Sequence, residues 1–386
     1  MIDLRTRQGW DDLKRVLDDR VGDVLALCDL EMPRRNGWTL LDDPRGDGRE
    51  CFGLCLRADG LAWKKFNGTE KGRSLELIAY CHGWYHLDKR GADQAANLAV
   101  QRLGLGSITP EQLARDREAS KARLAKAQGD NDRRRDRSAA AAFAIFAQAK
   151  PVLGTLAETY LRDARGIDLR AAPFIGPRGG NLAPGSLRFV EQHRYIIRDK
   201  QNRATGEAYA PAMVACCTDA AGQIRALHQT WLRADGLDKA SFPPAPDGTK
   251  QPPRKVLGEF AGLVIPLWRG DGHLSVKDAC ANGLLQTLGL VEGTEDGLTM
   301  VLAAPQHRLW AMISLSNMVN VAARLQTDPN MACIDSVIAH RQNDWDKPSA
   351  VAAFDRGLQA LRDTGRVVAE VKAAYGKDLN DTLRVE

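Results

Sequence analysis

The alternation of strand and helix signals over the last third of the chain restricts its fold more than any other feature. Short apolar runs predict strands over 284–291, 309–314, 334–340 and 366–371, and amphipathic stretches predict helices over 298–304, 317–325 and 350–364 between them. Connections of that length suit parallel strands joined by right-handed crossovers, with helices covering the sheet. In such sheets the working side chains gather just beyond the carboxyl ends of the strands. Glu292 follows one strand, and Asp344 and Asp346 follow another, so neighbouring strand ends would bring three carboxylates into one cleft. Carboxylates so placed repel one another unless a cation sits among them. All-oxygen ligands favour Mg²⁺ or Mn²⁺, whose shells are completed by water and substrate phosphate, and such ions support in-line phosphoryl transfer. Gly293 lets the backbone approach closely behind Glu292, and the helix start near Glu295 and Asp296 suits capping and polar contacts. Each motif also has a plainer reading: Glu292 and Gly293 as a turn, and the acidic residues of 343–347 as caps for the helix that Pro348 begins. The two motifs stand in this order about 50 residues apart, with one strand–helix–strand cycle between them, which favours the functional reading.

A chain of 386 residues has room for two or three domains, since single cores rarely grow past ~250 residues. Residues 1–109 form a first module, with a helix predicted over 10–27, strands over 51–57 and 61–66 joined at 58–60, and helices over 74–82 and 92–103. Residues 110–137 are charged, helix-prone and poor in large apolar side chains, as in a solvated helical linker; the basic run 133–137 is at most a phosphate contact. Residues 138–268 open with helices over 139–149 and 156–165 and turn to strands over 212–218 and 223–231, a hairpin closed by Asp219 to Gly222. Residues 269–386 are the alternating unit. The net charge of +5 and pI near 8.7 permit a polyanionic partner without demanding one. No run approaches the ~18 apolar residues of a membrane span, and the first residues lack a signal-peptide core. The expectation is a cytoplasmic protein without a membrane partner, whose eight scattered cysteines stay reduced.

The segments Val291 to Leu298, Asn343 to Pro348 and Gly376 to Leu383 resemble the Toprim domain of phage and plasmid DNA primases, and the order of strands and helices between them agrees. The likeness extends back through 156–161, 186–189, 211–214, 228–236 and 254–258, so it covers about residues 150–386. It implies an α/β fold (α+β overall): a carboxyl-terminal Toprim parallel sheet with flanking helices, preceded by a mixed α+β primase-core domain and a small zinc-ribbon-like module. By this resemblance Glu292 matches the Toprim glutamate, a metal-linked or acid–base residue, and Asp344 and Asp346 match the metal-binding aspartate pair. The family commonly has Asp-x-Asp straight after the strand, whereas Gln342 stands two residues before Asp344. Either the pair is Asp344 with Asp346, in shifted form, or one ligand is missing.

In that family the middle unit is the basic half of the polymerase core, facing the Toprim half across the template groove. Arg225, His228, Arg233, Lys239, Arg254 and Lys255 are then candidates for neutralising template and nucleotide phosphates, or else form a solvated rim. Lys377 is a candidate phosphate contact, Asp378 and Asp381 are expected to fix the terminal turn rather than bind metal, with the cleft edge as the alternative, and Trp231 is expected to be a half-buried strand residue rather than a base-stacking one. Primases of this kind usually begin with a zinc module. Here residues 40–44 stand where the first ligand pair belongs, and Cys51, Cys55, Cys81 and His82 are poorly spaced for tetrahedral Zn²⁺. A degenerate, zinc-free module is expected, touching DNA through Arg34, Arg35, Arg45, Lys64, Lys65, Lys71 and Arg73.

The resulting expectation is a primase-like nucleotidyltransferase of a phage, plasmid or integrated element. It would make short RNA primers on single-stranded DNA from nucleoside triphosphates, with Mg²⁺ or Mn²⁺ as cofactor. A Toprim-type nuclease and a catalytically silent DNA-binding replication accessory protein are the alternatives. The sequence holds no Gly-x₄-Gly-Lys-Ser/Thr phosphate loop, so unwinding would come from a separate replicative helicase.

Overall fold

Thr6 sets the start of the first helix, its backbone extended and its hydroxyl accepting the Gly9 amide at 3.0 Å. In the computed structural model, all residues are described except 1, 34–37, 47, 49–50, 58, 67, 86–88, 108, 177, 344–345, 374–375 and 384–386. The chain divides into two units, Met1–Arg133 and Arg134–Glu386.

In the first unit, α1 (Arg7–Asp19) buries Leu13, Val16 and Leu17 at helical spacing. The single helix expected over 10–27 is broken at Arg20, whose backbone (φ −105°, ψ 45°) leaves the helical region before α2 (Val21–Leu27). Strands β1 (Thr39–Leu41), β2 (Phe52–Arg57), β3 (Gly60–Lys65) and β4 (Lys71–Gly72) form an antiparallel sheet in that order. Helices α3 (Ser74–Cys81) and α4 (Lys89–Arg102) follow. Phe52, Trp63 and Tyr80 stack at the centre of this unit's core, with ring centroids 4.7 to 5.7 Å apart. Cys51 and Cys55 lie beside and within β2, and Cys81 ends α3. Several of the expected DNA contacts are engaged here: Lys65 pairs with Asp43 at 3.0 Å, Arg73 pairs with Asp59 at 2.7 Å, and Lys64 lies over the Phe66 ring. Arg34 and Arg35 lie outside the described residues.

The expected linker and the helix expected over 139–149 are one continuous helix of 39 residues, α5 (Pro110–Gln148). No proline interrupts this stretch after its first residue, and the alanine run from 139 to 142 carries it on.

In the second unit, β5 (Lys150–Pro151) is followed by α6 (Leu156–Thr159), capped by Thr155 and continued as a wider turn over Tyr160–Ala164. Strands β6 (Leu187–Arg198), β7 (Ala204–Thr218), β8 (Ile224–Trp231) and β9 (Arg254–Leu257) complete a sequential antiparallel sheet with β5. The second sheet comprises β10 (Ile265–Arg269), β11 (Gln286–Val291), β12 (Arg308–Ala311), β13 (Ile334–Arg341) and β14 (Val367–Lys372), in the order β10-β12-β11-β13-β14. Strands β12, β11, β13 and β14 are parallel, and β10 closes one edge antiparallel to β12. Between these strands run α7 (Val276–Ala281), α8 (Thr294–Ala303), α9 (Met318–Thr327) and α10 (Pro348–Arg362). Leu288, Leu290, Trp310, Val337 and Phe354 are buried in the core of this sheet. The fold is thus a mixed α/β one, antiparallel sheets preceding a largely parallel sheet. Among the described residues no helix is long and apolar enough to cross a membrane.

Candidate active site

The centre of the parallel sheet sets the geometry. β11 lies between β12 and β13, and its carboxyl end delivers Glu292 to the sheet edge. Gly293, in extended conformation, turns the chain directly into α8, whose first turn carries Glu295 and Asp296. Gly297 makes this close: a Cβ there would collide with the Leu267 side chain of β10. The short helical turn Leu379–Leu383 returns against α8, where the Asn380 amide donates to Asp296 Oδ1 at 3.2 Å. Gln342, just past β13, donates through its side-chain amide to Asp296 Oδ2 at 3.0 Å.

These carboxylates differ sharply in electrostatics. Asp296 is pushed up to about 7, first by burial and next by the neighbouring charge of Asp378. Asp378 is itself raised, by burial and then by Asp381. Glu295 is held down at about 2: burial works against its charge, but Lys239 and Arg254 and the hydrogen bonds it accepts outweigh burial. The Tyr160 hydroxyl donates to Glu295 Oε1 at 2.8 Å, Lys239 Nζ lies 3.1 Å from the same oxygen, and Arg165 in turn donates to the Tyr160 hydroxyl at 2.8 Å. His228, ringed by protein atoms, falls to about 4 through burial and is neutral at neutral pH.

A cavity of about 500 Å³ opens over this region, lined by carboxylates of the parallel sheet and cations from both sheets. Of the residues singled out in the sequence, Glu292, His228, Lys239, Arg254, Lys255 and Lys377 line it. Lys255 nevertheless directs its ammonium elsewhere, to the Ile196 carbonyl at 2.6 Å and over the Tyr195 ring at 3.6 Å, and burial lowers it to about 8. Arg225 and Arg233 are not among the lining residues; each pairs locally, with Asp219 at 2.8 Å and Asp235 at 2.6 Å. Asp346 is exposed and does not line the cavity, and Asp344 lies outside the described residues. Trp231 is buried more fully than expected, at 2% exposure, with its indole donating to the His193 carbonyl at 3.1 Å.

Arg165, Lys347 and Asn380 join the lining although nothing in the sequence singles them out, and Asp296 reads there only as a capping residue. A signal for Asp296 exists: it stands four residues after Glu292 at a helix start, one turn from the strand end. Asp378 belongs to the cavity, whereas Asp381 fixes the terminal turn by accepting the Lys377 amide at 2.8 Å.

A parallel sheet with a glutamate at the end of its central strand defines a class of domain, and comparison with known proteins names it. Residues 287–386 match the Toprim domain, and residues 136–267 match a domain of unknown function, DUF7146. Among curated proteins nothing matches the chain. Among solved structures, a DNA primase domain from Pseudomonas aeruginosa is similar at 14% identity and TM-score 0.39, over 64% of this chain and 75% of that one. The RNA polymerase domain of Mycobacterium tuberculosis primase DnaG is similar at 14% identity and TM-score 0.37, over 66% of this chain and 82% of that one. The primase fragment of the bacteriophage T7 primase-helicase is similar at 17% identity and TM-score 0.30, over 44% of this chain and 56% of that one.

Proposed function

We propose that this chain is a primase-type nucleotidyltransferase that synthesises short RNA primers on a single-stranded DNA template. On this reading 269–386 is the catalytic half, 138–268 the basic half facing it, 110–137 the connecting helix, and 1–109 a zinc-free module that contacts DNA. One observation supports it above others: Glu292, Asp296 and Asp378 share a single cavity with Arg165, Arg254, Lys347 and Lys377. Carboxylates beside cations suit a reaction whose substrates are polyphosphates and whose charge needs a divalent ion.

The donor set fits Mg²⁺ or Mn²⁺. Asp296 and Asp378 are raised first by burial and next by neighbouring carboxylates, and a cation would relieve the second effect. Mg²⁺ is commonly held by one or two carboxylates plus water and nucleotide phosphate. Glu292 and Asp378, both in the cavity lining, would hold it, with Asp296 beside them. Once bound, the ion would stabilise the attacking and leaving oxygens. Arg254, Lys347 and Lys377 would neutralise triphosphate and template charge. Lys239, bound to Glu295, would contribute a fixed positive field to the cavity wall. The primer 3′-oxygen would bond to the α-phosphorus as the bond to pyrophosphate breaks.

The test is incubation with single-stranded DNA, labelled nucleotides and Mg²⁺ or Mn²⁺. Primers are expected from the native protein and none from Glu292→Gln. No product from the native protein, where a control primase works, would overturn the proposal. The Gln342 contact with Asp296 favours a second reading, a catalytically silent replication accessory protein. Single-stranded DNA binding that ignores both metal and Glu292→Gln, together with no synthesis, would identify it.

A further inference from the structure

A second cavity, of about 950 Å³, lies among the β7–β8 turn, β10, β12 and the start of α7, and shares no lining residue with the first. A buried arginine and a half-buried one line it. Arg308, 2% exposed, donates to Gln286 Oε1 at 2.9 and 2.7 Å and to the Leu274 carbonyl at 2.8 Å. Arg324 donates to the carbonyls of Thr218 and Asp219 at 3.3 and 3.1 Å, with its guanidinium 5.0 Å over Trp310. Among the described residues neither guanidinium forms an ion pair; burial works against both charges, Arg269 adds to this at Arg308, and Asp328 and Asp219 oppose it at Arg324. Arg269 and Lys277 stand exposed at the rim. The acid in the lining, Asp219, is engaged by Arg225 at 2.8 Å. Two further polar atoms in the lining residues, Arg324 Nε and Ser186 Oγ, are buried without a hydrogen-bond partner. Buried polar groups in native proteins are ordinarily satisfied, so Arg324 Nε and Ser186 Oγ leave two positions in the lining for polar atoms of a ligand.

Leu182, Ile224, Val264 and Val276 add an apolar stretch to a wall that also carries Asn181, Thr218 and Asn330. The cavity exceeds what an inorganic anion fills and falls within the ~300–1,000 Å³ range of small-molecule sites. We propose that this cavity binds a nucleoside diphosphate, its phosphates meeting Arg324, Arg269 and Lys277 and its base lying against the apolar stretch. Arg324 already ties α9 to the β7–β8 turn. A ligand there would stiffen the junction of the two sheets that also frame the first cavity, and so offers a nucleotide-responsive control separate from the substrate site.

Calorimetric titration of the full chain with ADP, in EDTA so that no divalent ion assists the first cavity, tests this. One ADP per chain is expected, with affinity lowered about tenfold or more in the rim double variant Arg269→Glu/Lys277→Glu. Adenosine alone and inorganic pyrophosphate alone should each bind more weakly than ADP. Arg254→Ala, in the first cavity, should leave ADP affinity unchanged. Absence of ADP binding to the native protein up to millimolar concentration overturns the proposal. Loss of binding in Arg254→Ala with retention in the rim variant also overturns it, because the site would then be the first cavity. The rim residues are exposed, so an unchanged melting temperature of the double variant is expected and shows that the fold is intact.

Discussion

Asp296 accepts hydrogen bonds on both carboxylate oxygens and yet is pushed up to about 7, because burial and Asp378 outweigh the two donors. The folded chain therefore holds a proton on Asp296 between its ordinary pKa of 3.8 and about 7, where the unfolded chain has lost it. Stability from this group is full below pH 4 and falls as pH rises through that window, by about 1.4 kcal/mol for each pH interval of one. Asp296→Asn should remove the trend. Urea unfolding in EDTA at pH 5 and pH 8 should show the native protein losing on the order of 2 kcal/mol more than the variant between the two conditions. Equal losses would mean that Asp296 ionises normally. Glu295 works the other way: held at about 2, it contributes stability above its ordinary pKa of 4.5 that is lost as pH falls toward 2, outside the tested range. Its charge rests on Tyr160 and Lys239. Tyr160→Phe should cost about 1–3 kcal/mol by removing a donor from a buried carboxylate, read as a lower urea midpoint at pH 7. At this scale the sequence is only partly legible. Glu292 stands out because a strand ends before it, and Asp296 follows one turn on, but Asp378 and Arg165 meet them only through folding, from segments with no local mark of their joint role.

At the scale of elements, the carboxyl-terminal alternation is readable to within a few residues, because buried strands and crossover helices carry strong local periodicity. Among the described residues β1, β4, β5, β6, β9 and β10 escape such a reading, and two of them show why. β6 is long, but its inward positions are interrupted by Glu191, Gln192 and His193 at an irregular register between Val190 and His193. β10 pairs antiparallel with β12, some forty residues further on, so nothing local reveals that it closes the parallel sheet. That edge strand is what α8 presses against through Gly297, and the contact carries its own prediction. Gly297→Ala would drive a methyl into Leu267, which is 1% exposed and has little room to yield. Overpacking of this kind costs about 1–3 kcal/mol. Glu292, Glu295 and Asp296 ride on the same strand–helix turn, so primer synthesis should fall in this variant by more than its loss of folded protein explains. Activity normalised to folded fraction, measured by circular dichroism at the assay temperature, checks it.

Across the whole molecule, net charge is a poor guide to where a polyanion would bind. The +5 excess is spread over 386 residues, and many prominent cations are neutralised by close neighbours. Arg225 belongs to Asp219, Arg233 to Asp235, and Lys239 to Glu295. Sequence identifies all of these as basic but cannot show which are already paired. Arg254 and Lys377 line the first cavity, and a template strand running there would displace counterions through them. Binding of a single-stranded oligonucleotide, followed by fluorescence anisotropy over a range of salt concentrations, should weaken linearly on logarithmic axes. Arg254→Ala and Lys377→Ala should each reduce the steepness by about 0.7, the value for one phosphate contact on a single strand. Arg225→Ala and Arg233→Ala should leave it unchanged, since removing a cation already held by its own aspartate releases no DNA contact. Glu292→Gln should also retain the native slope while abolishing synthesis. If Arg225→Ala and Arg233→Ala flattened the slope and Arg254→Ala and Lys377→Ala did not, the template path would run over the β7–β8 surface and away from the cavity that holds Glu292.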